Sequence, residues 1–184
     1  FGIEPEMGTM TKFLGPPLKD SFRDFYGFDD EKCEQAVKYY REYYTTKGIF
    51  ENRVYDGVEE CLKKLSEAGL HLAVATSKPQ VFAVKILEHF HLAQYFDYIG
   101  GAELDGSRSV KADVIVHTLK NCGVNDRSQV IMAGDRYHDV LGAKALGIDC
   151  IGMLYGYGTR EELSQAGAVY IAETPLEAAK WLLG

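Results

Sequence analysis

The 184-residue sequence predicts an α/β fold, in which a parallel β-sheet is covered by helices on both faces and is preceded by a small all-helical region. Two observations predict this fold. From residue 56 onward, short apolar runs alternate with segments of helical periodicity, as in strands joined by crossover helices. Residues 1–55 hold more than half of the aromatic residues but few Val and Ile, the residues that favour strands. The strands are therefore expected after residue 55.

The first region is predicted to contain two helices. Leu18, Phe22 and Phe25 recur at helical spacing after the break at Gly15-Pro16-Pro17, and this segment ends at Gly27. A second helix is predicted over about 30–47, with Asp29 or Asp30 as its N-cap and Gly48 at its end. One face of that helix is formed by residues three and four apart: Cys33, Val37, Tyr40 and Tyr44.

The second region is predicted to alternate helices with strands. Helices are predicted over 57–68, 79–90, 111–121, 138–146, 160–166 and 175–183. Strands are predicted over 70–75, around 98–99, and over 129–133, 149–153 and 169–171. No internal repeat, linker or low-complexity segment interrupts this pattern.

Composition excludes several classes of function. The net charge is −7, and no basic stripe could follow a phosphate backbone, so nucleic acid is not expected as a partner. The apolar runs are far shorter than the roughly 20 residues that span a bilayer, and no signal peptide is recognisable, so a cytoplasmic protein is expected. The cysteines lack metal-site spacing and are predicted to be small buried residues in a reducing compartment: Cys33, Cys61, Cys122 and Cys150.

Candidate chemistry lies just after the predicted strands, where open α/β sheets bind their ligands. Thr76 and Ser77 follow the strand at 70–75 and precede a helix, whose N-terminus favours an anion such as phosphate. Alternatively, one of these hydroxyls caps that helix. Lys111 stands at the start of another predicted helix, where a cation opposes the dipole unless it neutralises a nearby anion. Alternatively, Lys111 is a solvated surface residue.

Two carboxylates stand four residues apart in Gly134-Asp135-Arg136-Tyr137-His138-Asp139, after the strand at 129–133. Close carboxylates repel each other unless a cation lies between them, and hard oxygen ligands suit Mg²⁺. Alternatively, Asp139 caps the following helix and Asp135 forms a turn with Gly134. His138, within the same motif, is interpreted as a surface histidine rather than a base.

The order of these motifs resembles that of the haloacid dehalogenase superfamily of phosphatases, and in particular its phosphoglycolate phosphatase branch. The similar stretches cover essentially the whole chain: 73–79, 110–113, 134–139 and 155–158 through 166–168. The resemblance implies a Rossmann-like core over 53–184 and a helical cap over 1–52. It also implies that the segment Gly15-Pro16-Pro17-Leu18 faces the substrate.

The resemblance further implies a role for each candidate residue. Thr76, together with Ser77, would bind the transferring phosphoryl group, and Lys111 would neutralise the phosphate and the nucleophile. Asp135 would bind Mg²⁺. Asp139 would support the metal either by binding it directly or by contacting the groups that bind it. These groups provide the positioning and charge stabilisation that phosphoryl transfer needs.

The sequence departs from the family pattern at its defining motif. The family's DxDGT, which supplies the nucleophilic Asp and the general acid at the end of a central strand, has no match here, and Glu4 and Glu6 stand in no such context. That strand would lie between the strands predicted at 70–75 and 129–133. We therefore expect the nucleophile to lie upstream in a longer polypeptide, and the chain alone to be inactive.

The expected function is Mg²⁺-dependent hydrolysis of a small phosphorylated metabolite such as phosphoglycolate, through an aspartyl-phosphate, by a monomer or homodimer. Lys19 and Arg23 could reach a substrate carboxylate, or be solvated. A nucleotide 5′-phosphatase or pyrophosphatase is one alternative, favoured if the tyrosines on the second helix stack on a base instead of packing within the cap: Tyr39, Tyr40, Tyr43 and Tyr44. An inactive module that binds a phosphorylated ligand or a protein is another.

Overall fold

A computed structural model describes residues 1–4, 13 and 18–184 and divides the chain into two compact units, Phe1–Asn52 and Arg53–Gly184. The segment Gly15-Pro16-Pro17 and Glu6 lie outside the described residues. Within the described part of the chain, no helix is long and apolar enough to cross a membrane.

The first unit contains the two predicted helices, α1 (Leu18–Tyr26) and α2 (Asp30–Tyr44), followed by a short 3₁₀ turn. Asp29 caps α2 as predicted, because its side chain accepts a hydrogen bond from the Lys32 N–H at 2.9 Å. The helix ends at Tyr44, three residues before the predicted limit, and is followed by Thr45 and Thr46. Their hydroxyls donate to carbonyls of the last turn, at 2.7 Å for Thr45, and so replace the next helical bonds.

The buried face of α2 differs from the predicted one. Cys33 and Ala36 are buried, as is Ile49 of the following 3₁₀ turn. Tyr40, predicted on the same face, is 44% exposed. The buried face thus follows the small residues of α2, and the buried residue of α1 is the small Ser21.

The second unit alternates helices and strands. Its helices are α3 (Val58–Glu67), α4 (Gln80–His89), α5 (Lys111–Asn121), α6 (Tyr137–Lys144), α7 (Arg160–Ala166) and α8 (Pro175–Leu183). Its strands are β1 (Ala73–Pro79), β2 (Tyr98–Ala102), β3 (Ile131–Gly134), β4 (Asp149–Met153) and β5 (Tyr170–Ala172). Every strand pairing is parallel, which confirms the predicted α/β class.

The strands form two sheets, ordered β1-β2 and β3-β4-β5, and β1 and β3 are not hydrogen-bonded to each other. Among the described residues, each of these two strands therefore has one edge to which no strand is paired. β3 is only partly covered, with Ile131 39% exposed, whereas four of the five residues of β4 are buried. The largest cluster of buried residues lies around β4. In it, Val140 of α6 and Leu163 of α7 pack with Ile148 and Cys150.

β1 starts and ends later than the predicted strand at 70–75. It pairs with β2 from Ala73 to Thr76, and the register shifts before Pro79 pairs with Ala102. Gly101 permits this irregularity, because a Cβ there would lie 2.6 Å from the Lys78 carbonyl oxygen. Thr76 and Ser77 therefore lie in the strand, and α4 begins at Gln80 without a side-chain cap. The alternative in which either hydroxyl caps α4 is wrong.

The four cysteines are free thiols, as predicted. Cys33, Cys61 and Cys150 are buried and Cys122 is half-buried. Burial raises the pKa of Cys150 to about 12, so this thiol behaves as a small apolar side chain.

Candidate functional site

Lys111 links β1 to the start of α6, the helix that follows β3. It is the first residue of α5, and its Nζ donates to the Ala75 carbonyl oxygen at 2.8 Å. The same Nζ lies 2.8 Å from Oδ1 of Asp139. The two charged side chains are 12% and 11% exposed, so the pair is shielded from water. Within the described part of the chain, Lys111 is therefore a bridging residue rather than a solvated one.

Asp139 is held on both of its carboxylate oxygens. Oδ1 faces Lys111, and Oδ2 accepts the Arg136 N–H at 3.1 Å, which completes a capping box at the start of α6. Asp139 thus contributes to the capping of α6 from its third position, with Arg136 as the N-cap residue, and the same side chain also pairs with the lysine. Gly134 permits this arrangement, because a Cβ there would collide with the Asp139 side chain.

Gly142 is a part of the site that sequence reasoning missed. A Cβ at this position would lie 2.6 Å from Cγ of Lys111. The glycine therefore lets the start of α5 approach α6 closely enough for Lys111 to reach Asp139. A glycine within a predicted helix, where it costs stability, is the signal that could have revealed this contact.

Asp135 is half-buried at the turn between β3 and α6. Its Oδ2 accepts the Tyr157 N–H at 2.8 Å. Gly156 and Gly158 bring this loop against Asp135, since a Cβ on either glycine would collide with the carboxylate or the carbonyl oxygen of Asp135. No described residue donates a hydrogen bond to Oδ1, and that oxygen is not sealed from solvent.

Two further tyrosines lie beside Asp135. The rings of Tyr55 and Tyr155 are 5.2 Å apart between centroids. Burial raises the pKa of Tyr155 to about 12, with smaller contributions from Cys61 and Asp135. Burial, the neighbouring Tyr157 hydroxyl and the Asp135 carboxylate all raise the pKa of Tyr55. We call Tyr55, Tyr155 and Tyr157 the tyrosine cluster.

Thr76 and Ser77 follow Ala75, whose carbonyl oxygen holds Lys111. The Thr76 Oγ1 accepts the Lys78 N–H at 3.1 Å, so this hydroxyl stabilises the local turn of β1. Both residues are half-buried. The structure therefore brings Ala75, Lys111 and Asp139 into direct contact and places the two hydroxyls immediately beyond Ala75.

Glu162 of α7 is a second residue that sequence reasoning missed. It accepts the Tyr137 N–H and the Arg136 Nε–H, each at 2.9 Å, and so holds the start of α6. Burial acts to raise the pKa of Glu162, but these hydrogen bonds and the Arg136 charge outweigh it and hold the pKa below its ordinary value. Burial, with the Arg136 charge, lowers the pKa of the half-buried His138 and so favours its neutral imidazole.

Lys19 and Arg23 belong to the first unit, where both face carboxylates. Arg23 lies 2.7 Å from Asp30, and Lys19 lies 3.2 Å from Glu34 and 3.6 Å from Asp30. Neither cation is simply solvated, because these pairs join α1 to α2. The tyrosines of α2 differ from the expectation of a packed face: Tyr39, Tyr40 and Tyr43 are 50%, 44% and 53% exposed.

The described residues offer one carboxylate oxygen that could bind a cation, but they do not form a complete metal site. No group of three or more His, Cys, Asp or Glu residues that could hold a metal occurs among the residues described here. Asp135 offers an accessible carboxylate oxygen of the type that Mg²⁺ prefers. The charge of Asp139 is already balanced by Lys111. Asp139 is therefore better suited to contact the residues around a metal ion than to bind the ion directly.

Comparison with known proteins identifies relatives over most of the chain. A family model described as "Haloacid dehalogenase-like hydrolase" matches residues 1–153. A 5′-nucleotidase of Pseudomonas aeruginosa is 45% identical over 160 residues, 87% of this chain and 72% of that protein. The tyrosine-protein kinase PtkA of Mycobacterium tuberculosis is 38% identical over 91% of this chain and 56% of its own length.

Two further relatives are phosphatases by name. A phosphoglycolate phosphatase of Pseudomonas savastanoi pv. phaseolicola is 31% identical over 82% of this chain and 54% of its own length. The crystal structure of a predicted phosphatase from Clostridium acetobutylicum has a TM-score of 0.91 at 48% identity, covering 98% of this chain and 83% of that one. The chain thus spans little more than half of two of these curated relatives.

Proposed function

The chain belongs to the haloacid dehalogenase-like hydrolase family, as its motifs predicted, and on this premise we propose that it forms the supporting part of a phosphomonoester hydrolase active site. The Lys111 bridge carries this proposal. It holds an ammonium group between the Ala75 carbonyl oxygen of β1, one residue before Thr76, and the Asp139 carboxylate in the first turn of α6. The helix starts that follow parallel strands are where an open α/β sheet binds its ligand, and a phosphate dianion suits an ammonium group held there.

In this proposal each residue has a distinct role. Lys111 attracts the phosphate and stabilises negative charge that develops on it, while Thr76 and Ser77 donate hydrogen bonds to its oxygens. Asp135 would hold Mg²⁺ through the accessible Oδ1, and the ion, when bound, would neutralise phosphate charge. Asp139 orients Lys111 rather than touching the substrate, because both of its oxygens already have partners.

We also propose that the nucleophilic Asp lies on a strand outside the printed sequence, inserted between β1 and β3. In the part of the chain that the structure describes, both strands have an edge without a strand partner, and parallel neighbours on either side would satisfy the backbone groups of an added strand. The carboxyl end of that strand would lie next to Lys111. Attack by its carboxylate on phosphorus would give the aspartyl-phosphate and release the alcohol, and water would then hydrolyse the acyl phosphate.

The substrate is proposed to be a small phosphorylated metabolite, with two candidates. Phosphoglycolate follows from the branch that the motifs resemble. A nucleoside 5′-monophosphate is favoured by the higher identity to the 5′-nucleotidase, 45% against 31% for the phosphoglycolate phosphatase. Lys19 and Arg23 would bind a substrate carboxylate in competition with Asp30 and Glu34, or with the donors that these ion pairs leave unused.

The test is phosphate release by the purified polypeptide. Its intact mass is first compared with the 20.5 kDa of the printed sequence. Phosphoglycolate, AMP and p-nitrophenyl phosphate are then assayed with Mg²⁺ or EDTA, for the natural polypeptide and for residues 1–184 alone. We expect Mg²⁺-dependent turnover by a polypeptide that carries the upstream strand and none by residues 1–184. Turnover by Lys111→Ala equal to that of the unaltered protein would contradict the assigned site, and Lys120→Ala on the same helix is the matched control.

A further inference from the structure

The tyrosine cluster is an exposed aromatic surface next to Asp135. Its members come from distant parts of the chain, since Tyr55 precedes α3 whereas Tyr155 and Tyr157 follow β4. Tyr155 is half-buried and packs against Tyr55 with an interplanar angle of 60°. Tyr55 and Tyr157 are 41% and 58% exposed. The accessible Tyr55 ring is therefore supported by the half-buried Tyr155 ring, and Tyr157 adds a second accessible ring.

The position of this surface relative to Asp135 is fixed by the backbone. The Tyr157 N–H bonds Oδ2 of Asp135 at 2.8 Å, and the glycines on either side pack directly against Asp135. The Tyr157 hydroxyl and the Asp135 carboxylate both contribute to the raised pKa of Tyr55. A ligand anchored at Asp135 and Lys111 would thus meet a Tyr55 ring already packed against Tyr155, which reduces the entropy lost on binding.

We propose that the tyrosine cluster binds the base of a nucleoside 5′-monophosphate whose phosphate occupies the site at Lys111 and Asp135. The inference rests on the proposed phosphatase function and selects its nucleotide candidate. A planar heterocycle can stack on an exposed tyrosine ring and accept or donate a hydrogen bond at the phenol. Phosphoglycolate has no ring and gains nothing from this surface.

The exposed tyrosines of α2 offer a competing surface, and the structure favours the cluster over them. The cluster lies in the same compact unit as Asp135 and is bonded to it. Tyr43, by contrast, donates to Glu51 at 2.6 Å, and Tyr40 stacks on Tyr44 with centroids 5.2 Å apart. Those rings already have partners within their own unit. Tyr39, which is 50% exposed, is the matched control for a change at the cluster.

The experiment compares substrates in the natural polypeptide. Values of kcat/KM are measured for AMP and for phosphoglycolate in the unaltered protein and in Tyr55→Leu, Tyr157→Leu, Tyr157→Phe and Tyr39→Leu. Loss of one stacked ring is expected to lower the AMP-to-phosphoglycolate ratio about tenfold in the two cluster Leu variants, mainly through KM. Tyr157→Phe, which keeps the ring, should retain most of that ratio, and Tyr39→Leu should leave it unchanged.

Two kinetic outcomes would overturn the inference. An equal loss on both substrates would mean that the cluster only supports Asp135, and a fall in the ratio confined to Tyr39→Leu would place the base on α2. Binding without turnover separates this inference from the proposed function. If no ester is hydrolysed, the phosphatase proposal fails, and AMP is titrated calorimetrically against inorganic phosphate. AMP binding that is tighter than phosphate binding and is weakened about tenfold by Tyr55→Leu still supports the cluster, and equal affinities overturn it.

Discussion

Replacing Lys111 with Met should strongly destabilise the fold, because it leaves a shielded carboxylate without its partner. Lys111 and Asp139 are 2.8 Å apart, with side chains 12% and 11% exposed. Met keeps most of the apolar stem that packs against Gly142, so the substitution removes charge and hydrogen bonds more than volume. It also removes the donor to the Ala75 carbonyl oxygen.

The size of the effect follows from the geometry of the pair. At 2.8 Å and an effective dielectric constant of about 20, the gross attraction between the two charges is about 6 kcal/mol. The cost of desolvating both charges offsets much of this attraction in the intact protein. When one partner is removed, the remaining charge keeps its desolvation cost without the compensating attraction. Measured losses of stability for such changes are about 3–5 kcal/mol. We therefore expect the free energy of unfolding to fall by about that amount in Lys111→Met.

Urea unfolding followed by circular dichroism measures this change. Lys111→Met is compared with Lys120→Met, an exposed lysine of the same helix whose loss should cost no more than about 0.5 kcal/mol. The double variant Lys111→Met/Asp139→Asn removes both charges and keeps an acceptor for the Arg136 N–H, so it should regain at least half of the lost stability. A loss below about 1 kcal/mol in Lys111→Met, which is the value of an exposed pair, would refute the shielded bridge.

Three further predictions concern Asp135 and the cysteines. Asp135→Asn should raise the Mg²⁺ concentration for half-maximal activity and lower turnover by orders of magnitude, and normal activity at normal Mg²⁺ would contradict its assignment as a ligand. Gly156→Ala should disturb the same carboxylate and weaken Mg²⁺ binding about 10–100-fold in calorimetry, whereas unchanged binding would show that the loop does not position Asp135. Iodoacetamide at pH 8 should modify the half-buried Cys122 before Cys150 in the native protein, because a pKa of about 12 leaves almost no Cys150 thiolate, and mass spectrometry of peptides measures the order.

The fold could be predicted where local signals and tertiary packing agree. The bounds of α5, α7, α8 and β4 match the predicted ones, because each begins or ends at a cap, a proline, a glycine or a change of periodicity. β1 could not be placed from its own residues. Its continuation through Thr76 to Pro79 depends on Gly101 in the neighbouring strand, and a single-strand pattern contains no information about that partner.

The candidate site was predicted as residue types at strand ends but not as a set of contacts. The Asp135 and Asp139 motif indicated two carboxylates directed at one cation, because their spacing is visible in the sequence. In the structure the two carboxylates have different partners, since Asp139 faces Lys111 and the Arg136 N–H while Asp135 faces the Tyr157 loop. Arg136 is a near neighbour of Asp139 in the sequence, but Lys111 and Tyr157 lie far along the chain from the carboxylates that they contact, so only the folded topology could reveal those two contacts.

The partners of Lys111 also explain how one residue can serve both structure and function. A lysine ammonium group has three N–H donors. Here one is directed to the Ala75 carbonyl oxygen and one to Asp139, and no other described residue accepts the third. The two bonds hold Nζ between β1 and the first turn of α6, so the third donor can turn toward a phosphate without a rearrangement of the side chain. A lysine that lost Asp139 would keep its charge but not its position. Loss of Asp139 should therefore impair catalysis through Lys111 even though Asp139 never touches the substrate.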